Sequence, residues 1–410
     1  MISSIKLPAT LSRFGRLTLL LAASWTSFFI SCPPANAPSD ATQQGLFANA
    51  PGSPVAVQSG PSNVLIGDMN NDRKPDLVVA LGRPRSINVI EGKGNGQFGA
   101  TVSTTTVPDP PGEMAIGDLN GDGKLDVAVS SHDSYGVTLL TGDGKGGLTK
   151  APSSPVVMKP GGQHAHTHGL ALMDINRDNK LDLITCNSTD NDITLALGDG
   201  RGNFTPAQKS FPVGPSPYPF GVGDVNNDGW PDIVATATAT GPSRREQLPF
   251  SRALTLLLSD GKGGFAPHQL PMRTGEPWFA AIADLNRDGK ADIVTSHHEI
   301  NALTVMIGDG RGGFTEATGS PFDFGAALFQ FIIADVNRDA AMDVVATTGN
   351  SIRVLSGDGR GAFTQAASIP VGPGAWRLAA ADVNADGAID VVTSNSEGND
   401  LSVLLAARKE

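Results

Sequence analysis

Cysteine is nearly absent from this 410-residue chain, which has only Cys32 and Cys186. So few thiols exclude a disulfide framework. Cys186, inside an apolar run, reads as a small buried hydrophobe. Long apolar stretches are scarce as well. The one candidate, Leu17 to Ile30, spans 14 residues and falls short of a membrane-crossing helix. No phosphate-cradling motif and no extended basic surface occur, which argues against a nucleic-acid partner. Long helices are disfavoured by 49 glycines and 29 prolines. Hydrophobic residues still make up 40% of the chain, enough to build a core. The mixture fits an all-β protein of short strands and many turns.

The N-terminus has the layout of an export signal. Lys6, Arg13 and Arg16 precede the apolar stretch, and Ala35-Asn36-Ala37 resembles a small-x-small cleavage site, although Pro38 would hinder cutting there. Phe29-Ile30-Ser31-Cys32 resembles a bacterial lipobox, in which Cys32 would carry a lipid anchor. Secretion, lipidation and an uncleaved anchor remain open. The expected layout is a signal over residues 1–37, a linker over 38–44 and one repeat domain over 45–407. The expected location is outside the cytoplasm: secreted, periplasmic or on the surface.

One period organises the rest. Seven segments share acidic or amide residues at positions 1, 3, 5 and 9. The first two are Asp68, Asn70, Asp72 and Asp76, then Asp118, Asn120, Asp122 and Asp126. Next come Asp174, Asn176, Asp178 and Asp182, followed by Asp224, Asn226, Asp228 and Asp232. The fifth is Asp284, Asn286, Asp288 and Asp292, and the sixth Asp335, Asn337, Asp339 and Asp343. Asp382, Asn384, Asp386 and Asp390 complete the set. Successive first aspartates are 50, 56, 50, 60, 51 and 47 residues apart, a period that means a solenoid, a propeller or an array. Around each loop, four strands are expected. The first alternates bulky and small residues, as in Val64 to Gly67. The second is a β-branched run such as Val391 to Ser394. The third ends in a glycine turn such as Gly308 to Phe314, where positive φ demands glycine. The fourth is looser and often holds proline.

Four antiparallel strands repeated seven times are the signature of a seven-bladed β-propeller. The seventh repeat ends after its third strand, Leu401 to Leu405, while Gly45 to Val57 supplies a fourth strand with no third ahead of it. Pairing the two ends would complete the last blade and remove open sheet edges. The repeats resemble FG-GAP/VCBS repeats, the units of the integrin α-subunit propeller and of many bacterial surface proteins, over roughly Leu46 to Leu405. The resemblance implies the propeller fold, calcium in the loops between first and second strands, and ligand binding on the opposite face. It implies no particular ligand.

The residues themselves favour calcium. Ca²⁺ takes six to eight hard oxygens, and acids at alternate positions of a curling loop converge on one ion. A backbone carbonyl is expected from position 7 and the closing carboxylate from position 9. Glycine suits position 6, so the loops at Asp68 and Asp335, with Arg73 and Ala340 there, are expected to be the weakest sites. The loops hold 21 of the 41 acidic residues. Losing residues 1–37 would shift the net charge from −11 to −14, which seven divalent ions would balance. Merely solvated acidic turns are the alternative.

On the other face, the residue six before each first aspartate is Ser62, Gly112, His168, Tyr218, Trp278, Phe329 or Trp376. Rings at a wet rim can stack on sugars or cations, or simply pack between blades. His164, His166 and His168, if extended, would share one side and suit a transition metal; His132, His297 and His298 belong to the same face. Polar surface is the alternative for them. An insertion around Thr240 to Arg252 carries Arg244, Arg245 and Arg252, which could meet an anionic glycan or peptide carboxylate, or stay solvated. The chain is therefore expected to be a monomeric, non-catalytic binding or adhesion module for a glycan or protein ligand. The alternatives are a polysaccharide lyase or sugar dehydratase using the histidine rim, and a structural scaffold.

Overall fold

A computed structural model describes residues 45–407 apart from 163, 164, 239–252, 274 and 298. The described residues form strands and turns, and no helix among them is long and apolar enough to cross a membrane. In repeat one, Pro61–Gly67, Asp76–Leu81, Ser86–Gly92 and Phe98–Thr106 pair antiparallel in chain order. The other repeats follow the same plan. Second strands such as Asp126–Ser131 and Asp390–Asn395 are buried at every position, which explains their unbroken apolar and threonine/serine content.

The fourth strand is the irregular one, as its prolines suggest. In repeat two it breaks into Leu148–Lys150 and Val156–Val157, both paired with Gly136–Gly142. Pro155 sits in that gap and Pro321 in the matching gap of repeat five, where a missing N–H costs no ladder bond. Repeats six and seven depart from the expected separate sheets. One continuous strand, Phe363–Ala381, pairs first with Gly349–Gly357 and then with Asp390–Asn395, joining both repeats in an eight-stranded sheet. The reason is length: only 47 residues separate Asp335 from Asp382, the shortest spacing, so the connection stays extended.

The N-terminal segments Phe47–Asn49 and Val55–Ala56 pair with the C-terminal strand Asp400–Ala406, with Phe47 opposite Ala406 and Val55 opposite Leu401. Hydrophobic clusters lie between sheets. Leu65, Val78 and Val89 of repeat one pack with Met114, Val127 and Leu140 of repeat two. The equivalent cluster joins the chain's extremes, with Val64, Ile66 and Leu77 against Ala379, Val392 and Val403. Turns repeat the pattern. The Gly146 N–H donates to the Met69 carbonyl at 3.1 Å and Gly202 to Leu119 at 3.0 Å; Gly96 of repeat one donates to Val383 of repeat seven at 3.1 Å. Acidic loops and glycine turns therefore gather at one end of the sheets.

Candidate functional site

All seven acidic loops share one hydrogen-bonded form. The position-1 carboxylate accepts from the amides of positions 5 and 6, as Asp284 does from Asp288 at 3.1 Å and Gly289 at 2.9 Å. Asp68, Asp118, Asp174, Asp224, Asp335 and Asp382 do the same. At position 3, the side-chain oxygen accepts from the position-5 amide. Asn70 accepts from Asp72 at 2.9 Å, Asn120 from Asp122 at 2.9 Å and Asn176 from Asp178 at 3.0 Å. Asn226 accepts from Asp228 at 2.9 Å, and Asn286 from Asp288 at 2.9 Å. The last two loops repeat it, with Asn337 and Asp339 at 2.8 Å and Asn384 and Asp386 at 3.0 Å. The position-5 carboxylate in turn accepts from the position-7 amide, as Asp288 does from Lys290 at 3.0 Å.

Winding the loop this way puts positions 4 and 6 in the left-handed region, for example Arg287 at φ 62° and Gly289 at 79°. Arg73 and Ala340 adopt the same turn at 68° and 69° despite their side chains. Lysines at position 7 are not idle: Lys74, Lys124, Lys180 and Lys290 pair with Asp72, Asp122, Asp178 and Asp288. Asp386 pairs instead with Arg338 of the preceding loop at 3.1 Å. The asparagines at position 3 are half-buried, and the position-5 aspartates are exposed except Asp386.

Among the described residues, no loop brings three carboxylates as close together as the histidines described below. Asp72, Asp122, Asp178, Asp228, Asp339 and Asp386 are held by backbone amides and, in several loops, by a cation. Repulsion between like charges opposes closer approach, and the nearby N–H donors satisfy the oxygens locally. Asn70, Asn120, Asn176, Asn226, Asn337 and Asn384 carry no charge, so each bridges positions 3 and 5 without adding to that repulsion.

Position 9 has a second role that its spacing did not reveal. It opens the second strand, is fully buried, and uses both oxygens to tie three segments together. Asp292 accepts from Leu285 N–H at 2.9 Å and from Gly308 N–H, at the end of the third strand, at 2.8 Å. The same pair of bonds recurs in every repeat, from Met69 and Gly92 on Asp76 to Val383 and Ala406 on Asp390. Burial pushes Asp76, Asp182, Asp232, Asp292 and Asp390 up to about 6 and Asp343 to about 7, and the carboxylates at positions 1 and 5 push the same way. Each bonded oxygen keeps a second lone pair. The donor set is hard oxygen throughout, a chemistry that fits Ca²⁺ and not a soft metal.

At the opposite end, the ring positions do come together. His168 stacks on Tyr218 (centroids 4.3 Å apart, 17° between planes), and Tyr218 packs on Trp278 at 4.0 Å. Phe329 packs on Trp376 at 4.7 Å, and Arg377 lies over the Trp376 ring. Ser62, Gly112, His168 and Trp376 each sit at a register shift of the first strand, and such bulges re-aim a side chain. Trp376 is 42% exposed and the other rings are half-buried, so the arc is neither core nor bare surface.

Histidines meet differently from the sequence expectation. His166 and His168 are joined by His132, from the loop after Asp126–Ser131; one ligand nitrogen from each of the three lies within 4.8 Å of the others. His164 and His298, like the Thr240 to Arg252 insertion, lie outside the described residues. His297 stands apart, buried and bonded to Thr304 at 2.8 Å. Burial, with the neighbouring imidazoles and Arg377, drives His168 down to about 3 and keeps it neutral. Cys186 is fully buried beside it, its thiol pushed up by burial.

Sequence reasoning missed the residues one step inward. Glu113, Arg377 and Asn63 each follow a ring position, and they form a network linking repeats two, seven and one. Arg377 Nη2 pairs with Glu113 Oε1, and Asn63 Nδ2 donates to Glu113 Oε2 at 3.1 Å. Burial raises Glu113 against the pull of Arg377. Glu113 also lines a narrow recess with Gly169, Leu170, Pro219 and Phe220. Aligning the residue after each ring would have exposed one acid and one base among otherwise uncharged neighbours.

Three solved structures share this architecture at low sequence identity. BBS1N in complex with ARL6DN has 10% identity and a TM-score of 0.62, with 90% of this chain and 99% of that one covered. Virginiamycin B lyase from Staphylococcus aureus has 12% identity and a TM-score of 0.56, covering 87% and 99%. An Agrocybe aegerita lectin that recognises non-reducing terminal N-acetylglucosamine has 20% identity and a TM-score of 0.52, covering 77% and 81%. At these identities the likeness concerns the fold, a β-propeller. No curated protein matches the sequence. The FG-GAP-like repeat model matches residues 68–129, 118–185, 174–235 and 335–393, more than half of the chain. Each match begins at position 1 of an acidic loop, and the chain belongs to the FG-GAP-like repeat family.

Proposed function

We propose that this protein is an exported, calcium-loaded propeller of seven blades that binds a glycan or protein ligand at the end opposite its acidic loops, without catalysing a reaction. The observation that carries the reading is the aromatic arc of Tyr218, Trp278, Phe329 and Trp376. Half-exposed rings packed in two pairs, Tyr218 on Trp278 and Phe329 on Trp376, offer apolar surface pre-ordered for a sugar face or an apolar side chain. The lectin and the BBS1N complex are examples of related folds in glycan and protein recognition. Closure into a ring is supported by the pairing of Phe47–Asn49 with Asp400–Ala406 and by the Gly96–Val383 contact. Calcium is supported by seven alike oxygen-rich turns, with the Asp68 and Asp335 loops weakest; an ion would draw positions 1, 3 and 5 inward and offset the repulsion between the carboxylates at 1 and 5. Export rests on the basic and apolar N-terminal segment, with Cys32 as the site of a lipid anchor.

Glycan-array binding and isothermal titration of hits test the ligand reading. Trp376→Ala, at the most exposed ring, is expected to weaken binding about tenfold while leaving the melting temperature unchanged. No retention of any glycan or surface protein, or equal affinity in the variant, would sink it. Calorimetric titration of chelated protein is expected to show calcium uptake and a rise in melting temperature. A catalytic reading is favoured by one observation only, the three imidazoles beside the arc. Product formed from a polysaccharide and lost in His166→Ala would establish it.

A further inference from the structure

We infer that His132, His166 and His168 form a binding site for one borderline divalent transition ion, of the zinc type, at the rim of the ring-bearing end. Three imidazoles are the donor set such ions prefer, and the acidic loops offer none. Nitrogens sharing a tetrahedral ion lie about 3.3 Å apart. One nitrogen from each ring already lies within 4.8 Å of the other two, so closing on an ion takes a movement of about 1.5 Å, within reach of side-chain rotation.

The scaffold holds each ring in place. Thr167 N–H donates to the His132 carbonyl at 3.3 Å, which fixes the loop of repeat two against the first strand of repeat three. Ser188 N–H donates to the His166 carbonyl at 2.8 Å. Tyr218 stacks on His168, at the bulge that turns this residue out of the regular ladder. Asp133 Oδ1 lies 2.7 Å from His132 Nδ1, so the carboxylate takes one imidazole nitrogen and leaves the other for an ion. Histidine ligands commonly have such a partner, which fixes the tautomer and raises basicity. A second observation sets this cluster apart from solvated surface histidines. His168 Nε2 is buried and has no hydrogen-bond partner, although its ring lies against those of His132 and His166. Such an orphaned nitrogen is costly in a folded protein unless something completes it. Arg377, the cation whose charge reaches His168, is already paired with Glu113. Three protein ligands leave a fourth position for water or for an oxygen of a molecule lying on the rings.

The test uses untagged full-length protein, stripped with chelator and then saturated with Ca²⁺ so that the acidic loops are filled. Calorimetric titration with Zn²⁺ is expected to show one equivalent bound at micromolar or tighter Kd. His132→Ala, at a half-exposed ring that removes no core contact, and His166→Ala are each expected to weaken binding at least tenfold. Co²⁺ in place of Zn²⁺ is expected to give visible ligand-field bands that both variants lose. No zinc uptake by the parent protein overturns the inference, as does uptake unchanged in both variants. Neither result bears on the aromatic arc, which is tested separately by Trp376→Ala.

Discussion

Two kinds of residue carry strain or charge where the fold would prefer neither. The first is the left-handed position 6 of the acidic loops. Gly123, Gly229, Gly289 and Gly387 occupy it at no steric cost, but Ala340 holds φ at 69°. A Cβ there costs about 1 kcal/mol. Ala340→Gly should therefore raise the unfolding free energy by roughly 0.5 kcal/mol or more after the extra chain entropy of glycine is deducted. Urea unfolding in chelator checks this, and an unchanged or lower midpoint would mean that the turn is not strained. The second is His297, which burial depresses to about 4. The unfolded imidazole titrates near 6.5 and so binds a proton first as pH falls. Its contribution to stability is therefore complete above 6.5 and is lost as pH falls toward 4, by roughly 2–3 kcal/mol. His297→Gln keeps a partner for Thr304 and cannot ionise. Its unfolding free energy should change less than that of the parent between pH 7 and 4, and parallel curves would refute the assignment.

The strands were the most readable elements, because their signals are local. A β-branched run after each acidic loop, a glycine turn and a proline-broken fourth strand each follow from residue chemistry alone. The strand-tying role of position 9 was hidden because its second partner lies 14 to 27 residues further on, at the end of the third strand. The same contact explains a glycine that hairpin geometry does not require: a Cβ on Gly308 would sit 2.1 Å from the Ala291 carbonyl oxygen. His132 was likewise separated from its partners, since strand pairing and not spacing brings it to His166. If position 9 were only an ion ligand, replacing it would be harmless without calcium. The two buried amides on Asp292 argue otherwise. Asp292→Asn can turn its amide oxygen toward only one of those donors and leaves the other against an NH₂ group, costing about 1–3 kcal/mol. That loss should appear in chelator as fully as in calcium, measured by urea unfolding. A penalty confined to the calcium-loaded protein would return position 9 to a purely ligating role.

For the whole molecule, the central question is what the first dozen described residues do for the last strand. The four-stranded repeat was legible because each repeat carries its own motif, whereas the fusion of repeats six and seven shows only in the shortened spacing. Asp400–Ala406 would be an open edge without its partner, with unpaired backbone groups that recruit other chains. Phe47 is buried among Val345, Val391 and Leu404, and the Ser53 hydroxyl accepts from Val403 N–H at 3.0 Å. Ala50 N–H donates to the Val403 carbonyl at 2.9 Å. Deleting residues 45–57 removes these contacts and uncovers the cluster shared by repeats seven and one. Relative to a chain beginning at Gly45, the shortened protein should melt several degrees lower and form concentration-dependent oligomers by light scattering. A peptide of residues 45–57 added in trans should reverse both effects by restoring the missing strand. If the two chains melt together and both remain monomeric, the last sheet does not depend on the N-terminal strand.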